Sequence, residues 1–135
     1  MSDNRKINPS TMYDAVEYGF SHAVESTAGR LVHLAGQVAW DKDRSVVGAG
    51  DLAAQAMQCV ENLRAVLADV GATPADVVRL RTYVVDHTPE KLAPIGAALA
   101  AFYGNGLPAA NTLIGVQALA LPDFLIEIEA TAQLP

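Results

Sequence analysis

Apolar residues recur at steps of three and four from Leu52 through Ala56, Val60, Leu63 and Leu67 to Val70, which puts one apolar stripe along a helix over residues 51–70. Asp51 stands where a carboxylate accepts the orphan N–H groups of a first turn, and Gly71 stands where a chain leaves a helix. Upstream the period changes. Residues 18–24 (YGFSHAV) and 30–40 (RLVHLAGQVAW) read as strands joined by a turn over 25–29, the connection of an antiparallel hairpin, and the polar run DKDRS closes the second. Residues 77–86 are rich in β-branched side chains and predict a third strand after the cap-like Thr73-Pro74-Ala75-Asp76. Thr88-Pro89 opens a second helix running to about Tyr103, either starting late or bending at Pro94, and Gly104-Asn105-Gly106 ends it. Two further strands are expected over 111–119 and 124–131, with Pro122-Asp123 in the turn between them.

The order β-β-α-β-α-β-β predicts an α+β fold, with two helices on one face of a mainly antiparallel sheet of about six strands. The polar residues 1–16 read as a loose lead-in to a single domain spanning 1–135. Composition agrees: 51% of residues are hydrophobic and 18% charged, enough for a full, mainly aliphatic core. A mean hydropathy of +0.21 fits either apolar surface buried between copies or simply an alanine-rich monomer.

Charge narrows the partners. The formal net charge is −6 and the nine basic residues are scattered, so the basic face needed by a nucleic-acid binder is missing. Cys59 is the single cysteine, which leaves no internal disulfide, and no stretch reaches the ~20 apolar residues of a membrane span. A cytoplasmic protein is expected.

Few motifs carry chemistry. His22, His33 and His87 lie on separate elements without ligand spacing, so no metal is expected, and no serine sits in a nucleophile elbow. Gly48-Ala49-Gly50 lacks the third glycine and the lysine of a phosphate loop and reads as an entry to the first helix. Cys59 reads as a core thiol. In the last strand, FLIEIEATA, Glu127 and Glu129 share a face because side chains alternate. They form either a solvated sheet face or a site in which a buried carboxylate could act as a base.

Ala35-Gly36-Gln37, then Gln55, Asn62, Leu63, Leu67 and Gly71, Val77-Val78, Pro108-Ala109 and Ile126-Glu127-Ile128-Glu129-Ala130 together resemble the Rid family, also called YjgF or L-PSP, the reactive-intermediate deaminases. The resemblance runs from about Phe20 to Ala132. It implies a chorismate-mutase-like fold, a homotrimer, a small-molecule ligand in clefts between subunits, and no cofactor. It also implies that Glu127 positions the water attacking a C=N carbon, that backbone near Gly36 seats the ligand, and that Phe20 lines the mouth. In active relatives an arginine grips the substrate carboxylate. That place falls on Asn111 here, or on Thr112 if a gap shifts by one, while Leu113 stands where a cysteine would.

Two functions follow from the resemblance. One is a hydrolase or deaminase acting on an imine, enamine or related reactive metabolite, with Glu127 handling water and Asn111, Gly36, Phe20, Thr112 and Leu113 around the ligand. The other is a metabolite-binding homotrimer without turnover, because Asn111 lacks the guanidinium. A ribonuclease role, attached to the family by name, is opposed by the acidic balance.

Overall fold

The computed structural model describes residues 4–27 and 29–135. In chain order it contains β1 (Arg5–Ile7), β2 (Ala23–Glu25), β3 (Arg30–Gln37), α1 (Leu52–Asp69), β4 (Val77–Val85), α2 (Leu92–Tyr103), β5 (Ala110–Val116) and β6 (Ile126–Leu134). β1 and β2 form a small two-stranded sheet, and the main sheet has the order β3-β6-β4-β5. β6 runs antiparallel to both β3 and β4, whereas β4 and β5 are parallel and are joined by the α2 crossover that such a pair requires. Both helices pack on one face of this sheet, as the α+β reading anticipates.

The helix signals act where the sequence puts them. The Asp51 side chain accepts the Ala54 N–H at 3.1 Å, and Gly71 follows α1 in a left-handed conformation (φ 74°). Thr88-Pro89 starts a separate short 3-10 turn, and α2 begins only at Leu92. Pro94 thereby falls in the first turn, where a missing N–H costs no hydrogen bond, so nothing forces a bend. Leu63 and Leu67 of α1 and Leu99 and Phe102 of α2 close against Leu80, Val84, Ile126 and Ile128 of the sheet. Each such side chain contributes roughly 1.5–3 kcal/mol on burial.

Two local expectations are overturned. Residues 18–24 do not form a hairpin with residues 30–40. Only Ala23–Glu25 is extended, and it pairs with Arg5–Ile7 from within the supposedly loose lead-in. Ser21 instead bridges to Ala110: its N–H donates to the Ala109 carbonyl at 2.9 Å and its hydroxyl to that of Pro108 at 2.5 Å. These bonds hold Phe20 beside β5 rather than β3. The strand over 30–40 stops at Gln37 after a register shift between Leu34 and Gln37.

Register fixes which side chains share a face. Leu80 is paired with both Asn111 and Ala130, so Asn111 faces the helices. Tyr83 is paired with Glu127 and Ile114, and Arg81 with Glu129 and Thr112, so these residues occupy the face away from the helices.

Candidate active-site walls

Glu127 lies on β6 opposite the irregular end of β3. A Cβ at Gly36 would collide with the outer atoms of the Glu127 side chain, so glycine there is what allows the carboxylate to lie across the β3 backbone. This wall belongs to an open cleft of about 880 Å³ that Trp40, Asn62 and Phe124 also line. Trp40 and Phe124 meet edge to face at 5.1 Å and give the cleft an aromatic wall. Glu129, the other carboxylate of the pair, is engaged, since the Tyr83 hydroxyl donates to its Oε1. That bond is the main cause of an upward shift in the Tyr83 pKa.

A second cleft, of about 720 Å³, lies on the helix side of the sheet. Phe20, Asn111 and Leu113 line it together with Leu92, Gly96 and Leu99 of α2. The buried Thr82 hydroxyl donates to Asn111 Oδ1 at 3.2 Å, which orients the amide and leaves its NH2 as the free donor. Tyr13, Glu17 and Tyr18 complete the lining. Reading residues 1–16 as a lead-in missed Tyr13. The available signal was the close spacing of Tyr13, Tyr18 and Phe20 in an otherwise polar stretch.

The structure therefore gathers the sequence-derived site residues into two groups, not one. Gly36 and Glu127 belong to the first cleft, and Phe20, Asn111 and Leu113 to the second, while Thr112 lines neither. Asn111 and Glu127 do not stand level on neighbouring strands. β4 separates their strands, and Asn111 is level with Ala130, three residues beyond Glu127. Two strand spacings and three residues put their Cα atoms roughly 14 Å apart, and their side chains leave opposite faces of the sheet.

The other motif residues hold the scaffold. The buried Gln55 side chain donates to the Gly48 and Asp123 carbonyls at 3.1 and 2.9 Å and accepts the Leu125 N–H at 2.9 Å. It thereby ties the α1 entry loop to the start of β6. Asn62 donates to the Val38 and Trp40 carbonyls at 2.9 and 3.0 Å, fixing the segment that carries Trp40. Cys59 is fully buried, its thiol lies 3.7 Å from the Ile126 carbonyl oxygen, and burial, reinforced by the Glu127 charge, pushes its pKa up to about 12. A core thiol is what is found. Among the described residues, no group of three or more His, Cys, Asp or Glu side chains is placed to hold a metal ion, and no helix is long and apolar enough to cross a membrane.

Comparison with known proteins supplies the relationship. The family model described as endoribonuclease L-PSP matches residues 12–134. A RutC family protein of Pyrococcus abyssi is 31% identical over 84% of this chain and 84% of its own. Protein DfrA of Myxococcus xanthus is 34% identical over 84% of this chain and 83% of its own. The crystal structure of YyfB, a Rid-family protein of unknown function from Yersinia pestis, matches with a TM-score of 0.95 at 61% identity, covering 98% of this chain and 99% of that one. With a family match over nearly its whole length, the same fold, and the motif residues holding that fold together, the chain belongs to the L-PSP family, also called YjgF or Rid.

Proposed function

We propose that the protein hydrolyses an imine or enamine derived from a small metabolite, in clefts formed between copies of the chain in a homotrimer. The observation that carries this reading is the division of the site residues into two walls that one copy cannot close on a single ligand. The Gly36–Glu127 wall has a carboxylate and an exposed strand irregularity. The Phe20–Asn111–Leu113 wall has an apolar surface and one oriented amide. A neighbouring copy that sets its first wall against the second wall of this one would supply both to the same ligand.

In that cleft the Glu127 carboxylate accepts a proton from water as the water oxygen bonds to the C=N carbon. The C=N π pair moves to nitrogen, which takes the proton back from Glu127 to give the tetrahedral carbinolamine. On collapse the hydroxyl proton passes through Glu127 to the nitrogen, C=O forms, and ammonia or an amine departs with the C–N pair. Glu129 is not suited to this task, because Tyr83 already donates to it. Asn111 carries no charge, so a ligand recognised by its carboxylate loses the two parallel hydrogen bonds an arginine gives, a loss of about 10²-fold in affinity.

The test generates imines in situ from several amines and amino acids and traps what survives with semicarbazide. Glu127→Gln keeps the shape and removes the basicity, so it is expected to abolish turnover of any imine the wild-type protein hydrolyses, while Glu129→Gln retains it. Imines that decay at the uncatalysed rate with the wild-type chain, despite measurable binding of their carbonyl products, would favour ligand binding without turnover.

A further inference from the structure

We propose that the helix-side cleft selects a cationic ligand, an ammonium or iminium group on a small apolar body with a hydrogen-bond acceptor, and discriminates against anions. Three observations converge on this. First, among the described residues lining the cleft none is Lys, Arg or His, and the one carboxylate is that of Glu17. Second, its mouth is aromatic. The Tyr13 ring stands at 75° to Tyr18 and at 66° to Phe20, with centroids 6.3 and 6.4 Å apart. These rings meet edge to face, which leaves a ring face turned away from the contact, and a cation is drawn to such a face. Tyr13 and Tyr18 are 60% and 65% exposed, so an arriving ligand can reach them. Third, the Thr82 hydroxyl occupies Asn111 Oδ1 and leaves the amide NH2 to donate, which suits a carbonyl or ether oxygen on the ligand.

The apolar floor sets the rest of the ligand. Leu92, Ile95, Leu99 and Leu113 line it, and a Cβ added at Gly96 would meet no atom within 4 Å. A larger side chain at this mid-helix position would therefore project into open space. His22 packs edge-on against Tyr13 and Phe20 at 4.7 and 5.8 Å, with Nε2 directed to the Tyr13 carbonyl, but it does not line the cleft. As a statement about substrate the inference rests on the hydrolytic reading above: the substrate is an amine-derived imine, bound as its protonated iminium, and not an imino acid. The preference for cations stands without that reading.

Calorimetric titration of the full chain at pH 7 with benzylamine, benzyl alcohol and benzoate compares one ring carrying a positive, neutral and negative group. Benzylamine is expected to bind about fivefold or more tighter than benzyl alcohol, and benzoate weakest of the three. Glu17→Gln and Tyr13→Leu, both at exposed positions, should each shrink the advantage of benzylamine over benzyl alcohol by about threefold. Gly96→Leu, which puts a side chain into this space, should weaken binding of all three. Benzoate binding as tightly as benzylamine, an advantage unchanged in both charge and ring variants, or undiminished binding to Gly96→Leu would each overturn the proposal. Hydrolysis that still depends on Glu127 while the cation preference fails would remove only the substrate class. A confirmed preference without any hydrolysis would remove only the chemistry.

Discussion

Replacing Gly36 by alanine tests the catalytic wall at its tightest point. The three nearest atoms to an added Cβ all belong to Glu127: Oε2, Cδ and Cγ. The Cγ approach is 2.9 Å and the other two are shorter, so a small adjustment does not relieve the contact. The whole end of the glutamate has to swing to another rotamer, displacing the carboxylate by more than an ångström. Misplacing a catalytic group by about 1 Å costs on the order of 10²-fold in rate. The fold should suffer much less, because the obstructing atoms are the free end of a flexible side chain and not backbone, so a cost of about 1 kcal/mol is expected. Gly36→Ala should therefore keep the wild-type circular dichroism and nearly its melting temperature, while kcat/KM for an imine substrate falls about 10²-fold and the Glu127→Gln variant falls at least as far. Wild-type turnover in a folded Gly36→Ala protein would refute the placement of Glu127 as the group that handles water.

Asn111→Arg puts a guanidinium in the helix-side cleft and should raise calorimetric affinity for pyruvate about tenfold or more, whereas the wild-type chain turns over 2-iminopropanoate weakly or not at all. Unchanged pyruvate binding would mean that this position does not face the ligand. Gln55→Ala strands the Gly48 and Asp123 carbonyls and the Leu125 N–H, and should destabilise the protein by about 3 kcal/mol in urea unfolding. The folded state holds the Cys59 proton more tightly than the unfolded chain. Its contribution is therefore full below the ordinary thiol value of 9.0 and is lost as pH rises toward about 12. Urea midpoints across that window should fall more steeply for the wild-type protein than for Cys59→Ala, and iodoacetamide should label Cys59 only after unfolding.

The amphipathic stripe from Leu52 to Leu67, the Asp51 cap and the Gly71 exit were legible as a helix because each acts through neighbours within one or two turns. The same holds for the alternation Ile126, Ile128, Ala130 that buries one face of β6 and turns Glu127 and Glu129 to the other. Family motifs also marked Gly36 and Glu127 as belonging together, and the collision that only glycine avoids gives the physical reason. Long-range pairing was not legible. Residues 18–24 carry the composition of a strand, yet no local rule says whether they join β3 or the start of β5, and the bonds from Ser21 to Pro108 and Ala109 decide it across 87 and 88 residues of sequence. Strand order was likewise hidden. Inserting β4 between β5 and β6 separates Asn111 from Glu127, and the register through Leu80 and Tyr83 turns them to different faces, although chain order makes their strands consecutive. Sequence alone determined which residues have chemistry to offer. Only the tertiary structure, through register and strand order set by contacts remote in the chain, decided that they line two separate walls and that Tyr13 and Glu17 line one of them.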